Sequence, residues 1–588
     1  MADHAEKRAK LSLNIEIVKC KAYDDQKPGT SGLRKRTRKF MEGTYLYNFV
    51  ACTFLAIGEK KLNGSTLVVG GDGRYYNKEA IRVIVKMAAA YGVGKLIIGK
   101  DGLLSTPALS ATIRKMRALG GIILTASHNP GGINEDFGIK YNVENGGPAP
   151  ESVTSAIFEK TKTISSFKIG TNVPDFSLSK CPFKLEIPGG MIVEIVDSTS
   201  GYVDLMKSIF DFNAIKKLLS RKDFSMIFDG LHGVAGPYAQ AIFVNELGVS
   251  SSNLSGCVPK EDFGGGHPDP NLTYAPALVT KMGLRRDGTP LDDDGKTTTP
   301  SFGAACDGDA DRNMLLGASF FVTPSDSVAM IAANAQKCIP YFKKNGLRAV
   351  ARSMPTSMAL DRVAKEMKIP CFVVPTGWKF FGNLMDSGSM GKTNYCPLIC
   401  GEESFGTGSS HIREKDGIWA VLCWLNILAS RNEQSSSDDT LVSVRDVVIE
   451  HWRKFGRNAY CRYDYENVEK DKALKMTAHL TAQIQDSTFP ESIESGEIFS
   501  YVDPVDGSIS NNQGWRFRLK DGSRFVFRLS GTGSVGATIR LYLERYIPST
   551  HADLLVPVHD ALRPIVESAL SFSKIESFTG RKSPTVIT

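Results

Sequence analysis

Asp307, Asp309 and Asp311 occupy alternate positions in Ala304-Ala-Cys-Asp-Gly-Asp-Ala-Asp-Arg-Asn313. Three carboxylates this close repel one another, so an unliganded structural role accounts for them poorly. A loop that curls would turn all three toward one hard cation. The pattern is not an EF-hand, because the sixth loop position is Arg312 where glycine is needed and the twelfth is Ala318 where glutamate is needed. A second reactive group is Ser127, which follows the apolar run Gly120-Gly-Ile-Ile-Leu124 and precedes the turn formers Asn129-Pro-Gly-Gly132. Ile122, Ile123 and Leu124 read as a buried strand, which presents the Ser127 hydroxyl at a strand's carboxyl end, where open α/β sheets place their ligands. Helix capping is the structural alternative for that hydroxyl.

A third cluster is Arg528-Leu-Ser-Gly-Thr-Gly-Ser-Val-Gly-Ala-Thr-Ile-Arg540. Gly531 and Gly533 can expose successive amides, Ser530 and Thr532 add hydroxyls, and Arg528 and Arg540 add charge, which together describe an anion cradle. A bulged hairpin is the alternative for the glycines alone.

The elements that must hold these groups show in the periodicity. The apolar run over 67–70 leads into Gly71-Asp-Gly-Arg74. Residues 78–91 place Ile81, Ile84, Val85 and Ala88 on one helical face, and 95–99 is a further strand. Strand, helix, strand, helix and then the Ser127 strand is the alternation that builds a mostly parallel sheet. Phe224-Ser-Met-Ile-Phe-Asp-Gly-Leu-His-Gly233 and the aspartate loop repeat the theme of an apolar strand ending in a polar turn. Cys371-Phe-Val-Val-Pro-Thr-Gly-Trp378 and Pro397-Leu-Ile-Cys-Gly-Glu-Glu-Ser-Phe-Gly406 repeat it again. That recurrence over stretches of roughly 100 residues predicts three related units. Arg431-Asn-Glu-Gln-Ser-Ser-Ser-Asp-Asp439 has the composition of a linker. Beyond it, 516–519 and 524–529 are strands joined at Asp521-Gly522, and a last helix is predicted over 549–570, with Pro564 kinking or breaking it.

A chain of 588 residues is too long for one core, and the usual domain size of about 100 to 200 residues predicts three to five domains. Hydrophobic content of 42% and charged content of 23% are ordinary for a globular protein. The longest apolar helix candidate, 418–429, falls short of the roughly 20 residues of a membrane span and predicts a buried core helix. Residues 1–10 lack the apolar centre of a signal peptide, so a cytoplasmic location is the expectation. Eleven scattered cysteines predict free thiols, and Cys396 and Cys400 have no second ligand pair to complete a zinc site. The formal charge of +8 permits anionic partners without choosing among them. The basic run Arg34-Lys-Arg-Thr-Arg-Lys39 has no interleaved aromatic residues and no nucleic-acid motif around it, so no nucleic-acid partner is expected.

Thr125-Ala-Ser-His-Asn-Pro-Gly-Gly132 resembles the phosphoserine loop of the α-D-phosphohexomutases. Three further loops match the same family, the aspartate loop, Gly401-Glu-Glu-Ser-Phe-Gly-Thr-Gly408 and the Arg528 loop, so the resemblance spans almost the whole chain. It implies an α/β fold of three similar mixed-sheet α/β domains and a C-terminal α+β domain around a central cleft, divided near 1–200, 201–321, 322–430 and 440–588. It implies an intramolecular phosphotransferase in which Ser127 carries a phosphoryl group and glucose 1-phosphate and glucose 6-phosphate interconvert through glucose 1,6-bisphosphate. Mg²⁺ is the implied cofactor, held by Asp307, Asp309, Asp311 and a phosphate oxygen on Ser127.

The same resemblance brings His128, Lys140 and Lys415 to the reacting groups, and all three stay open as the general base. Lys27-Pro-Gly-Thr-Ser-Gly-Leu-Arg34 resembles the family's amino-terminal active-site segment, which implies that Thr30, Ser31 and Arg34 join Arg312 in binding substrate. Thr376-Gly-Trp-Lys-Phe-Phe381 resembles a specificity segment and brings in Thr376 and Gly377. Glu402 and Ser404 would bond sugar hydroxyls, and a site of this type rejects a wrong epimer because a buried polar group is left unpaired. Arg528, Ser530, Gly531, Thr532, Gly533 and Arg540 would hold phosphate. Some mannose-accepting relatives carry His where this chain has Gly406. A mannose-phosphate mutase, a bisphosphate synthase and a non-catalytic scaffold on the same fold are the alternatives. The intact Ser127, aspartates and Arg528 oppose the last of these. Hexose phosphates are the expected partners, and a monomer and a weak dimer both stay open.

Overall fold

The structure, a computed structural model, describes residues 12–29, 31–292, 298–435, 440–530 and 536–588. Four large sheets follow one another along the chain. The first has seven strands in the spatial order Leu33–Arg36, Asp136–Val143, Gly120–Leu124, Thr66–Gly71, Lys95–Leu103, Ile192–Val196 and Phe183–Glu186. The second has five, Leu254–Ser255, Met226–Asp229, Phe302–Cys306, Asn313–Gly317 and Phe320–Val322. The third has four, Cys371–Val374, Ala349–Ser353, Leu398–Gly401 and Thr407–Ser409.

All three share one wiring. Thr66–Gly71, Met226–Asp229 and Ala349–Ser353 each pair in parallel with a strand on either side. One of those neighbours then turns back into an antiparallel partner: Gly120–Leu124 into Asp136–Val143, Phe302–Cys306 into Asn313–Gly317, and Leu398–Gly401 into Thr407–Ser409. The three mixed α/β units predicted from the recurrence are therefore present, and the loop joining each antiparallel pair is the one singled out for its chemistry. The fourth sheet is wholly antiparallel, in the order Ile493–Ile498, Trp515–Leu519, Arg524–Ser530, Ala537–Ile547, Arg457–Val468 and Val586–Ile587.

Gly120–Leu124, Phe302–Cys306 and Leu398–Gly401 are buried along their whole lengths, which is why they read as continuous runs of small and apolar residues rather than alternations. The helix Asn77–Ala90 buries Ile81, Ile84, Val85 and Ala88, the face predicted over 78–91. Thr106–Met116 begins where the Ser105 hydroxyl accepts the Ala108 N–H and Pro107 occupies the first turn. Gly417–Arg431 is buried through Ala429, with Trp419 and Trp424 in a core shared by all four units. Among the described residues no helix is long and apolar enough to cross a membrane. All eleven cysteines are free.

The last long helix corrects the sequence expectation. It runs over Val558–Ser573 rather than 549–570, and Ala552–Leu555 forms a separate 3₁₀ turn ahead of it. Pro557 sets that start, because a proline at the helix boundary sacrifices only a donor that would go unpaired there. Pro564 sits inside the helix and removes one bond, and Arg545 Nη1 donates to the Ala561 carbonyl in the same turn at 3.0 Å.

Candidate active site

The loop that leaves Gly120–Leu124 turns sharply at Ser127, whose φ of +54° is left-handed for a residue with a Cβ. Three contacts hold it there. The Ser127 N–H donates to Thr125 Oγ1 at 2.7 Å, the Thr125 hydroxyl donates to Asp72 Oδ2 at 2.6 Å, and the Ser127 carbonyl accepts from Arg74 Nη2 at 2.9 Å. Asp72 and Arg74 pair at 2.9 Å with both side chains fully buried, and the Arg74 guanidinium lies 5.1 Å from the Phe263 ring centroid. The 71–74 turn is legible in the sequence, but its grip on the serine loop is not, since Asp72 and Thr125 are far apart along the chain. Ser127 caps no helix: its Oγ donates to Asp307 Oδ2 at 2.8 Å, with His128 Nδ1 3.4 Å away.

The aspartate loop curls at Ala310, which has a φ of +63°. One carboxylate oxygen from each of Asp307, Asp309 and Asp311 lies within 4.8 Å of the others, and all three residues are buried. Asp307 Oδ1 accepts the N–H groups of Asp311 and Arg312 at 2.9 and 3.0 Å. Asp309 Oδ2 accepts the Thr106 hydroxyl at 2.7 Å, and Asp311 Oδ2 meets Lys415 Nζ at 2.9 Å. Asp309 Oδ1 and Asp311 Oδ1 are buried with no hydrogen-bond partner. Burial, and then the carboxylates of Asp309 and Asp311, push Asp307 well above the usual carboxylate range. Burial presses on Asp309 as well, but Lys140, the Thr106 hydroxyl and Lys415 together hold it below its ordinary value.

These two loops back onto a cavity of about 580 Å³. Ser31, Arg34, His128 and Lys140 reach it from the first unit, and Asp311 and Arg312 from the second. The third unit contributes Thr376, Gly377, Glu402, Ser404 and Lys415, and the fourth Arg528, Ser530 and Arg540. Ser127, Asp307 and Asp309 stand behind this wall, tied to it by the contacts above. Thr30, Gly531, Thr532 and Gly533 lie outside the described residues.

The wall mixes apolar residues such as Phe49, Ile139 and Trp378 with many charged groups. Lys140 Nζ meets Glu414 Oε1 at 3.3 Å, and Asn142 Nδ2 donates to the same oxygen at 2.8 Å. Glu414 escapes sequence reasoning because both partners come from another unit, although it sits beside Lys415 in a segment already singled out. Glu402 Oε1 accepts the Gly377 N–H at 3.1 Å, and burial raises its carboxyl against the pull of Lys415. Burial works against the Lys415 charge, but Asp311 and Glu402 outweigh it and hold the ammonium above its ordinary value. His128 is pushed well below the ordinary histidine range, first by burial and then by Arg312 and Arg34. Arg528 and Arg540 face each other directly across adjacent strands, an arrangement that disfavours the empty sheet and favours an anion between them.

Three repeated mixed α/β units and an antiparallel fourth meet at a serine hydroxyl, a carboxylate cluster and a wall rich in cationic groups, and comparison with known proteins gives this arrangement its family. Family models described as alpha/beta/alpha domains I, II and III of phosphoglucomutase/phosphomannomutase match residues 25–168, 200–318 and 324–445. A model described as the C-terminal domain of phosphoglucomutase-1 matches residues 457–585. The chain belongs to the phosphoglucomutase/phosphomannomutase family, and its relatives place it on the phosphoglucomutase side. The cytoplasmic phosphoglucomutase of Mesembryanthemum crystallinum is 55% identical, with 98% of this chain and 100% of the relative covered. That of Pisum sativum is 56% identical, with 98% and 99% covered. Among solved structures, the exocytosis-sensitive phosphoprotein parafusin, a phosphoglucomutase from Paramecium in an open form, is 49% identical with a TM-score of 0.88. It covers 98% of this chain and 100% of its own. A phosphomannomutase-like protein from Thermus thermophilus, 22% identical with a TM-score of 0.62 over 94% of this chain and 100% of its own, shares the fold.

Proposed function

We propose that the chain interconverts glucose 1-phosphate and glucose 6-phosphate through a phosphoserine at Ser127 and glucose 1,6-bisphosphate. The observation that carries this reading is the Ser127 hydroxyl, buried and held 2.8 Å from Asp307, behind a cavity whose wall also carries Arg528 and Arg540. A nucleophile and a phosphate clamp at separate posts are what a substrate with two phosphate positions requires.

In this reading the bond from Ser127 Oγ to phosphorus breaks as a sugar hydroxyl oxygen bonds to that phosphorus. The hydroxyl proton leaves to a base, for which His128, Lys140 and Lys415 stay open, and Ser127 Oγ takes up a proton as it departs. Lys415 would first have to give up the proton that Asp311 and Glu402 hold on it. The bisphosphate turns over in the cavity and its other phosphate returns to Ser127 by the reverse step. Arg528, Ser530 and Arg540, with Gly531, Thr532 and Gly533, hold the phosphate that is not reacting. Ser31, Arg34 and Arg312, with Thr30, place donors and charge on the substrate, and Thr376, Gly377, Glu402 and Ser404 take the sugar hydroxyls.

The all-oxygen donor set and the unpaired buried oxygens of Asp309 and Asp311 fit Mg²⁺. Asp307, Asp309 and Asp311 would hold it together with the phosphate on Ser127, and when bound it would neutralise charge on the transferring oxygens. Division of the chain near 1–200, 201–321, 322–430 and 440–588 follows the order of the four sheets, although the last strand of the second, Phe320–Val322, straddles the 321/322 boundary. The cytoplasmic names of the plant relatives support a cytoplasmic location.

Ser127→Ala tests the reading in a coupled assay. Turnover should fall by about 10⁴-fold or more, the scale seen when a nucleophile is removed, while glucose 6-phosphate still binds. Phosphopeptide mapping of the wild type should place phosphate on Ser127, and mannose 1-phosphate should be the poorer substrate. A variant that turns over within about tenfold of wild type, far short of the loss expected for a nucleophile, would overturn the phosphoserine mechanism.

A further inference from the structure

The distal arginines have a neighbour that the cavity does not reveal. On Arg457–Val468, Asp464 lies directly opposite Arg540, and Arg540 lies directly opposite Arg528. Residues two apart on a strand share a face, so Arg462 stands on the same face beside Asp464. Asp464 Oδ1 is approached by two guanidinium groups, Arg462 Nε at 3.0 Å and Arg540 Nε at 3.8 Å. Neither N–H aims along its contact: Arg462 Nε, Arg540 Nε and Asp464 Oδ1 are all buried without a hydrogen bond. The backbone beneath them is fixed. The Arg462 N–H donates to the Thr588 carbonyl at 2.7 Å, the Thr588 N–H donates back at 2.9 Å, and the Thr585 N–H donates to the Asp464 carbonyl at 2.7 Å.

On the three adjacent strands Arg462, Arg528 and Arg540 carry three positive charges against the one negative charge of Asp464, which leaves two there. The Glu403 carboxylate of the sugar loop also acts on Arg462 but is already bonded by the Ser353 and Thr356 hydroxyls. A phosphate monoester above its second pKa of about 6 carries two negative charges. Without Arg462 the one carboxylate would be free to neutralise Arg540, and a single positive charge would face the dianion. Arg462 is the nearer of the two guanidinium groups to Asp464, and it does not line the cavity, whereas Arg540 does.

We propose that Arg462 is a positioning residue for the distal phosphate site: by engaging Asp464 it keeps that carboxylate from neutralising Arg540, so that Arg540 and Arg528 together receive a phosphate dianion. This rests on the reading above, in which Arg528 and Arg540 hold the phosphate that is not reacting. Asp464 keeps Arg540 in place when no ligand is there, and Arg462 keeps that hold weak enough for the ligand to win.

An ordinary structural ion pair and this arrangement make opposite forecasts for a double variant. In the full-length chain carrying Ser127→Ala, which binds sugar phosphate without turning it over, glucose 6-phosphate affinity is measured by calorimetry. Arg462→Gln should weaken binding about tenfold, the equivalent of one charge-assisted contact. Asp464→Asn should bind as tightly as the parent or tighter. Arg462→Gln combined with Asp464→Asn should return to within about threefold of the parent, near the limit of simple additivity. With Ser127 restored, Arg462→Gln should raise KM for glucose 6-phosphate while kcat stays nearly level, and Arg462→Lys, which keeps the charge, should recover most of the affinity.

A double variant that binds no more tightly than Arg462→Gln alone would overturn the proposal and leave a plain structural pair. Arg528→Ala separates the two readings. If Arg528→Ala weakens binding and Arg462→Gln does not, only the role of Arg462 falls. If Arg528→Ala binds like the parent, the distal phosphate site itself is misplaced.

Discussion

Gly406 shows how little space separates the sugar loop from the aspartate loop. A Cβ at this position would come within 2.4 Å of Lys415 Cδ and 3.3 Å of Glu402 Oε2. The lysine stem therefore occupies the volume that a side chain would fill, and its ammonium reaches Asp311 through that gap. The stem is flexible, so Gly406→Ala should displace it at little cost in stability. The expected result is a fall in kcat of roughly tenfold, the ~1.4 kcal/mol of one weakened charge-assisted contact between Lys415 and Asp311, with a nearly unchanged melting temperature. A Gly406→Ala enzyme with wild-type kcat would show that Lys415 is not needed where it stands. At this scale the sequence is most legible where a reactive side chain follows an apolar run, as Ser127 and the three aspartates do. It is least legible where a residue acts on a distant partner. Nothing local marks Glu414 as the seat of Lys140, or the Asp72–Arg74 pair as the support of a left-handed serine.

The helix Val444–Phe455, which does not line the cavity, carries a titration of its own. His451 is buried on it, its ring 4.6 Å from that of Phe455. Burial, and then Lys454, push His451 down from 6.5 to about 4. In the unfolded chain the imidazole takes a proton near 6.5, whereas in the folded chain it refuses one until about 4. The unfolded state therefore binds more protons across that window, and stability rises with pH there and is flat above it. The whole effect is on the order of 3 kcal/mol. His451→Gln should remove it, so urea unfolding of wild type and variant should diverge as pH falls from 6.5 to 4 and run parallel above 6.5. Parallel curves throughout would show that the ring accepts a proton in the folded state. Elements of this kind were readable to different degrees. Periodicity finds Asn77–Ala90 and Gly417–Arg431 because one face, or the whole helix, is buried. It overextends the last helix because a propensity for helix ahead of Pro557 loses to the proline that fixes the start.

The four units are joined unequally. First and third meet where Asn145 Nδ2 donates to Asp386 Oδ2 at 2.5 Å, a carboxylate that Arg413 Nε of the same third unit holds at 2.7 Å, and where Lys379 pairs with Glu151 at 2.7 Å on the surface. Third and fourth meet where Arg524 lies between Glu544 and the carbonyls of Met354, Pro355 and Thr356, with Tyr460 donating to Pro355 at 2.9 Å. The Thr356 hydroxyl in that same turn bonds the Glu403 carboxylate at 3.2 Å, so the anchor of the fourth unit also steadies the sugar loop. Asp386→Ala strips a buried arginine of its partner and should cost about 2 kcal/mol. Glu151→Ala breaks an exposed pair and should cost less than about 1 kcal/mol. Denaturant titration of the two variants checks the ranking, and equal losses would show that the buried Asp386 contacts contribute no more than the exposed pair.

The shared wiring leaves one flank of the first sheet unburdened. The links that carry chemistry leave strands near the hairpin side, whereas Ile192–Val196 and Phe183–Glu186 are added on the opposite flank and joined through an exposed turn at Gly189. Four strand spacings, roughly 19 Å, separate Phe183–Glu186 from the serine strand. A fluorophore or affinity tag grafted into the Gly189 turn would travel with the enzyme as cargo and stay clear of the cavity, which makes this flank a natural handle for tethering the molecule to a surface.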